Sequence, residues 1–367
     1  MNQATLVQIA ERLESLAGKL PEKIRRPLLR ELTPLKELFL KQRRPRLLFI
    51  GSSKTPMQQI IHALFPSETD QRLNVTLTPV HRWTEWVIPG RGTISILDAR
   101  DAAGSALLEV EEDLKGEPAD MIFFFDDGQS DLKELLVPNF LSNMEHESVM
   151  PFGGAKIICL SLGAEKRAAQ LVGGFDADPA VRGHLISVVR LTENGLVEKE
   201  RLMSILAEEL PNEAKIEMIR ISHDREAQAH VAKMLIKSAT AICTAIGAQP
   251  IPLADLPILT TLQVVMVSGI MYVSGRERSL RAAAEFITAL GANVGAAMLL
   301  REAARAILKF FPGWGNVVCG MVAGAGTYAI GRAATAYFLE GASLKDARRM
   351  YLKSRKKRVH PALEMHE

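Results

Sequence analysis

Residues Arg46-Leu47-Leu48-Phe49-Ile50-Gly51-Ser52-Ser53-Lys54-Thr55-Pro56-Met57-Gln58-Gln59 decide the fold. The run to Ile50 is apolar and reads as a strand, Gly51 opens a turn, and Ile60-Ile61-His62-Ala63-Leu64-Phe65 closes a helix-like run. Strand, glycine turn and helix in this order are the setting of a phosphate-binding loop. Outward from it, strand signals recur at Trp83–Ile88, Thr93–Leu97, Met121–Phe125, Lys156–Leu160 and His184–Val189. Helical stretches lie between many of them. Several of these strands are continuous apolar runs, as strands buried on both faces are. Pro89-Gly90-Arg91-Gly92 predicts a hairpin between the second and third strands. The pattern predicts an α/β doubly wound sheet with one antiparallel pair.

The chemistry of the loop does not match its setting. A working phosphate-binding loop reads G-x-x-x-x-G-K-[ST]. Here Gly51 stands at the first glycine, Pro56 at the second, Met57 at the lysine and Gln58 at the Ser/Thr. Proline removes one anion-facing N–H. Methionine brings no charge to the phosphates, and glutamine is no substitute for the magnesium-ligating hydroxyl. Lys54-Thr55 lies too close to Gly51 for the loop to wrap a phosphate.

Composition bounds the rest. At 367 residues the chain holds two or three domains, and 47% hydrophobic residues supply ample core. A net charge of +3 does not by itself argue for nucleic acid. The charge is concentrated, however: Lys345 to Arg358 carries eight Lys/Arg and one Asp. Such a tail is a solvated helix end or a surface for anionic lipid heads or nucleic acid. Cys159, Cys243 and Cys319 sit in apolar surroundings and read as buried thiols of a reducing compartment. No Cys/His spacing suits zinc, and the N-terminus has no apolar signal core.

Residues 1–45 read as a helical extension packed on the next domain, or as a partner-binding arm. Leu6, Ile9, Leu13, Leu16 and Leu20 recur at helical spacing, and Pro21, Pro27 and Pro34 divide the segment. Residues 46–212 form the α/β domain, 213–344 an all-helical domain, and 345–367 a basic C-terminal tail. In the helical domain the only charge from Ser238 to Gly275 is Asp255, and Phe310–Gly331 has none. Pro250, Pro252 and Pro257 break it into separate helices. Asp255 reads as a helix N-cap. Phe310–Gly331 is long enough to span a bilayer and Ile258–Ser274 nearly so. Gly291-x-x-x-Gly295 and Gly320-x-x-x-Gly324 allow close helix approach. A soluble, oligomeric bundle serves as well, because Pro312, Gly313 and Gly315 form a turn that shortens the last helix to about Asn316–Leu339.

The α/β segment resembles the Era-like branch of the small GTPases. Ile60–Phe65 is similar to that family's L-I-N-A-L-F helix, and Ile94-Ser95-Ile96-Leu97-Asp98 to the strand ending in the aspartate of D-x-x-G. Ala119-Asp120-Met121-Ile122 matches the opening of the next strand, and Asn194-Gly195-Leu196 resembles the turn opening the last helix. The resemblance implies a P-loop NTPase-like sheet, but its nucleotide motifs are altered at three places. The loop after Gly51 is the first. Asp98-Ala99-Arg100-Asp101 carries aspartate where the glycine that senses the γ-phosphate belongs, and Ser161-Leu162-Gly163-Ala164 replaces the guanine-specifying [NT]-K-x-D. Ser187-Val188-Val189 keeps the serine of the last base-contacting loop, and Thr76 or Thr78 stands for the switch threonine.

Residues from about His223 to Glu340 resemble the YcjF-like C-terminal domain. Ala245-Ile246-Gly247-Ala248-Gln249-Pro250-Ile251-Pro252-Leu253-Ala254-Asp255 follows its A-I-G-x-x-P-x-P-x-A-D signature, with Thr261-Leu262-Gln263, Phe311–Gly315 and Thr327–Arg332 continuing in order. That domain commonly follows Era-like GTPases in bacteria and is often described as membrane-associated.

Together these resemblances imply a cytoplasmic pseudo-GTPase, free of cofactor, acting as a scaffold or regulatory protein. Its partner would be a protein, a second copy of itself, or the anionic surface of the inner membrane. The alternative is a divergent NTPase that binds GTP and Mg through Gly51, Ser52, Ser53 and Lys54, with Asp98 near the metal. No residue reads as catalytic. Trp83 and Trp86 read as packing residues on opposite strand faces, Arg301, Glu302 and Arg305 as a solvated face, and His223 and His230 as a pair seven apart on one helix. Nucleic-acid binding through the basic tail is the least supported class.

Overall fold

The computed structural model describes residues 42–55, 79–88, 91–131, 154–177, 181–192, 195–196, 198–248, 255–291 and 315–364. It adds residues 29–33 and single positions at 11, 15, 18, 22, 25, 26, 37 and 60. The chain divides into two units. One is Arg43–Asp224; the other joins Met1–Gln42 to Arg225–Glu367.

The first unit is α/β. Its strands are β1 Arg46–Gly51, β2 Trp83–Ile88, β3 Gly92–Asp98, β4 Met121–Asp126, β5 Lys156–Ser161 and β6 Leu185–Thr192. They run in the order β2-β3-β1-β4-β5-β6, and a two-residue β7, Gly195–Leu196, lies beside β6. β1 pairs in parallel with β3 and β4, and β5 pairs in parallel with β4 and β6. β2 is antiparallel to β3, as the hairpin signal predicted. Among the described residues the unit also holds helices α1 Ser105–Gly116, α2 Glu165–Ala177, α3 Lys199–Glu209 and α4 Asn212–Ser222.

Alternation along each strand sorts side chains to two faces. Leu48, Ile50, Leu97, Ile122, Phe124, Ile157 and Cys159 join Val110 and Leu114 of α1 and Leu171 and Phe175 of α2 in one buried cluster. Phe124 meets Phe175 edge-on, with centroids 5.2 Å apart. On the other face Phe49 lies edge-on to Phe123 at 5.6 Å, Phe125 at 5.1 Å and Trp86 at 6.4 Å. Trp83 packs against the first cluster, so the two tryptophans serve opposite faces as core. At the start of β4 the buried Asp120 accepts from both Arg43 Nη1, at 2.6 Å, and Arg43 Nη2, at 2.5 Å, and from Arg46 N at 2.8 Å. The sheet's N-terminal edge is thereby clamped.

Several expectations are corrected. Gly195 and Leu196 are a strand pairing back on Thr192 and Leu191, and α3 begins only at Lys199; Asn194 lies outside the described residues. Ser187 lies inside β6, opposite Ile158, and not in a loop beyond the strand. His223 is the left-handed residue (φ 54°) that ends α4, so it does not share a helix with His230. The α/β unit also runs to Asp224, because α4 packs on β3: Gly92 abuts Glu217 and Ile221, and Arg43 N donates to Glu213 O at 3.0 Å.

The second unit is helical: α5 Arg225–Gly247, α6 Asp255–Val273, α7 Leu280–Ala289, α8 Gly315–Phe338 and α9 Leu344–Glu364. α8 packs on α5, α6 and α9. The glycines of α8 set its approach to α5. A Cβ on Gly320 would meet Thr244 O at 2.7 Å, and one on Gly331 would meet Ile236 Cγ1 at 2.5 Å. A Cβ on Gly324 would press still closer on Thr244 Oγ1. Pro257 falls in the first turn of α6, where a missing N–H breaks no helical bond. The basic run lies within α9, whose Ala347 and Tyr351 are buried. The N-terminal residues group with this unit. Leu32 is buried, Ser238 Oγ donates to Glu31 Oε2 at 2.8 Å, and Arg278 Nη2 donates to Gln42 Oε1 at 2.7 Å.

Leu6, Ile9, Leu13, Leu16, Leu20, Thr76, Thr78, Gly295, Phe310, Arg301, Glu302 and Arg305 lie outside the described residues, as do the side chains of Asp255 and Cys319. Among the described residues, one helix, Arg225–Gly247, is long and apolar enough to cross a membrane, and half of its apolar window is buried inside the protein.

Candidate functional site

In an open parallel sheet, ligands bind beyond the carboxyl ends of the strands. Here the ends of β3, β1, β4 and β5 bring together Asp98–Asp101, Gly51–Thr55, Asp126–Ser130 and Ser161–Gly163. Hydrogen bonds between these segments fill the edge.

Gly51 has φ 96°, and a Cβ there would lie 2.3 Å from Phe125 O. Only glycine fits that approach, which lets Ser52 N donate to Phe125 O at 2.9 Å. The buried Ser52 side chain then donates to Asp127 Oδ2 at 2.8 Å. Ser53 N donates to Asp101 Oδ2 at 3.1 Å, and Ser53 Oγ donates to the same oxygen. Thr55 Oγ1 turns back on Ser52 O at 3.0 Å, and Lys54 is exposed.

At β3, Arg100 forks onto Asp98. Its Nε lies 2.8 Å from Oδ1 and its Nη2 lies 2.7 Å from Oδ2, with the guanidinium 5.6 Å from the Phe125 centroid. Arg100 is 1% exposed, and its Nη1 has no hydrogen-bond partner among the described residues. Next along the chain, Asp101 is left-handed (φ 53°) and its N–H donates to Gly51 O at 3.0 Å.

At β4, two adjacent carboxylates divide their work. Asp127 accepts from Ser130 N at 2.8 Å, Ser130 Oγ at 2.7 Å, Gln129 N at 2.9 Å and Ser52 Oγ. Burial pushes its pKa up, but these donors favour the charged form more strongly and hold it well below the usual carboxylate range. Asp126 is fully buried. Arg167 Nη2 meets its Oδ1 at 2.7 Å, and Ser161 Oγ meets its Oδ2 at 2.5 Å. Arg167 Nη2 also donates to Ser130 O at 2.6 Å, and Ser161 Oγ accepts from Gly163 N at 3.0 Å. The bond to Asp126 raises the Arg167 pKa.

Of the residues singled out from sequence, Gly51, Ser52 and Ser53 come together with Asp101 and Asp127, whereas both oxygens of Asp98 are held by Arg100. Among the described residues no cluster of three His, Cys, Asp or Glu could hold a metal ion. The sequence reading missed Arg100, Asp126, Asp127 and Arg167. Its best available signal was Asp126-Asp127-Gly128 directly after an all-apolar strand. Comparison with protein-family models and with curated proteins gives no match for this chain.

Proposed function

We propose that this chain is a non-catalytic pseudo-GTPase: an Era-like, P-loop NTPase-like α/β unit that no longer turns over nucleotide, joined to a YcjF-like helical unit and acting as a scaffold or regulatory protein. One observation carries the reading. Among the described residues, donors that a nucleotide would engage at the strand ends are spent on the chain's own acceptors: Ser53 N on Asp101, Asp101 N on Gly51 O, and Ser161 Oγ on Asp126. The strand order β2-β3-β1-β4-β5-β6 with β2 antiparallel, and a glycine turn after central β1, supports the GTPase-like part.

The partner proposed is another protein, a second copy of the chain, or an anionic membrane surface. The last would put the protein in the cytoplasm, peripheral to the inner membrane. Exposed Lys345, Arg348, Arg349 and Lys353 on α9 favour it, with Leu344 40% and Leu352 53% exposed beside them.

The test is a melting curve of the whole protein with GTP, GDP or ATP and magnesium. A ligand at 100 times its dissociation constant stabilises by about 2.7 kcal/mol. No shift is expected. A shift that disappears in Lys54→Ala would overturn this reading in favour of a divergent NTPase.

A further inference from the structure

The two loops that meet at the sheet edge are joined twice. Asp101 N donates to Gly51 O at 3.0 Å, and the Asp101 carboxylate returns to Ser53, taking its N–H at 3.1 Å and its hydroxyl on one oxygen. The carboxylate reaches Ser53 from a left-handed backbone, φ 53°, which aspartate tolerates better than most side chains. A backbone N–H and a hydroxyl converging on one anionic oxygen in a turn after a strand are the donors that bind a phosphate oxygen elsewhere.

We propose that Asp101 is a built-in oxyanion. Its carboxylate occupies the seat at Ser53 that an oxygen of phosphate or pyrophosphate would take. Phosphate ligands are therefore excluded by occupancy as well as by the missing lysine and glycine of the loop. A second anion cannot share the seat, because both donors are used and the like charges repel. The inference rests on the pseudo-GTPase reading only in locating the phosphate seat at this loop.

The test uses the full chain with Asp101→Gly and Asp101→Asn, titrated with pyrophosphate without magnesium. It is read by calorimetry and by the Ser53 amide resonance. Wild type is expected to bind no pyrophosphate. Asp101→Gly frees the seat and is expected to bind with a dissociation constant at least about tenfold below the highest concentration at which wild type stays silent, the scale of one charge-assisted hydrogen bond. Its Ser53 resonance should move on substitution and again on titration. Asp101→Asn removes the charge and keeps the side chain's size, so it should gain a smaller affinity.

A folded Asp101→Gly that binds no better than wild type, or whose Ser53 resonance is unmoved, overturns the proposal. If Asp101→Gly does not fold, Asp101→Asn decides alone, and no gain there overturns it too. Wild type binding GTP would sink the pseudo-GTPase reading. Silent nucleotides with no gain in either variant would sink only the occupancy.

Discussion

Arg100 and Asp98 hold each other in the interior, the arginine 1% exposed. Arg100→Ala leaves a buried carboxylate unpaired, and urea unfolding should report a loss of about 3–5 kcal/mol. Replacing both partners together, Asp98→Asn with Arg100→Met, should recover most of that loss, because no uncompensated charge remains. Asp127 makes a separate prediction about acid. Its folded pKa lies below its ordinary value of 3.8, so its contribution to stability is present above that value and is lost as pH falls through the depressed one. Asp127→Asn should therefore lower stability at neutral pH and flatten the acid limb of the stability–pH curve below about pH 4. The same residues mark how far the site was legible. The missing lysine and glycine could be read from spacing alone, since a motif is local. The pairs Asp98–Arg100, Asp126–Arg167 and Ser52–Asp127 could not. Asp98 and Arg100 are neighbours, but whether they pair depends on burial. Asp126 with Arg167, and Ser52 with Asp127, meet only once the ends of β1, β4 and β5 are side by side.

At the scale of elements, α5 and α8 approach through bare backbone. Gly320→Ala would drive a methyl into Thr244 O and Ala248 Cβ, and Gly324→Ala into Thr244 Oγ1. Each should cost about 1–3 kcal/mol in denaturant unfolding, as overpacked contacts do. Gly326 on the same helix has open space, so Gly326→Ala should stabilise by about 0.5–1 kcal/mol through helix propensity alone. Cys159 and Cys243 are fully buried; burial raises both thiols, Cys243 to about 12. Neither should react with a thiol reagent until the protein unfolds. The strands were legible to within a residue or two at most ends, because buried parallel strands are unbroken apolar runs between turn residues. β7 escaped notice because two residues carry no periodicity. The early end set for the α/β domain had another cause: α4 is helical in pattern but rests on β3, and pattern does not say which neighbour a helix chooses.

For the whole molecule, the exposed arc of α9 predicts its behaviour at a charged surface. Full-length protein should sediment with vesicles containing anionic lipid and not with neutral ones. Each cation near such a surface contributes about 1 kcal/mol, so Lys345→Gln, Arg348→Gln, Arg349→Gln and Lys353→Gln combined should weaken binding more than about tenfold. Raised salt should act in the same direction. Binding unchanged by these four substitutions would remove α9 as the contact.

The helical unit is discontinuous, with Met1–Gln42 belonging to a body whose remainder begins at Arg225. During synthesis those first residues leave the ribosome before their partners exist. Glu31 has no Ser238 to accept from, and Gln42 has no Arg278. Those partners lie 207 and 236 residues further on, an interval on the order of ten to fifty seconds at about 5–20 residues per second. The α/β unit has all of its own residues by Asp224 and is free to fold in that interval. Glu31, Leu32 and Gln42 wait through that interval without the contacts that hold them in the finished body.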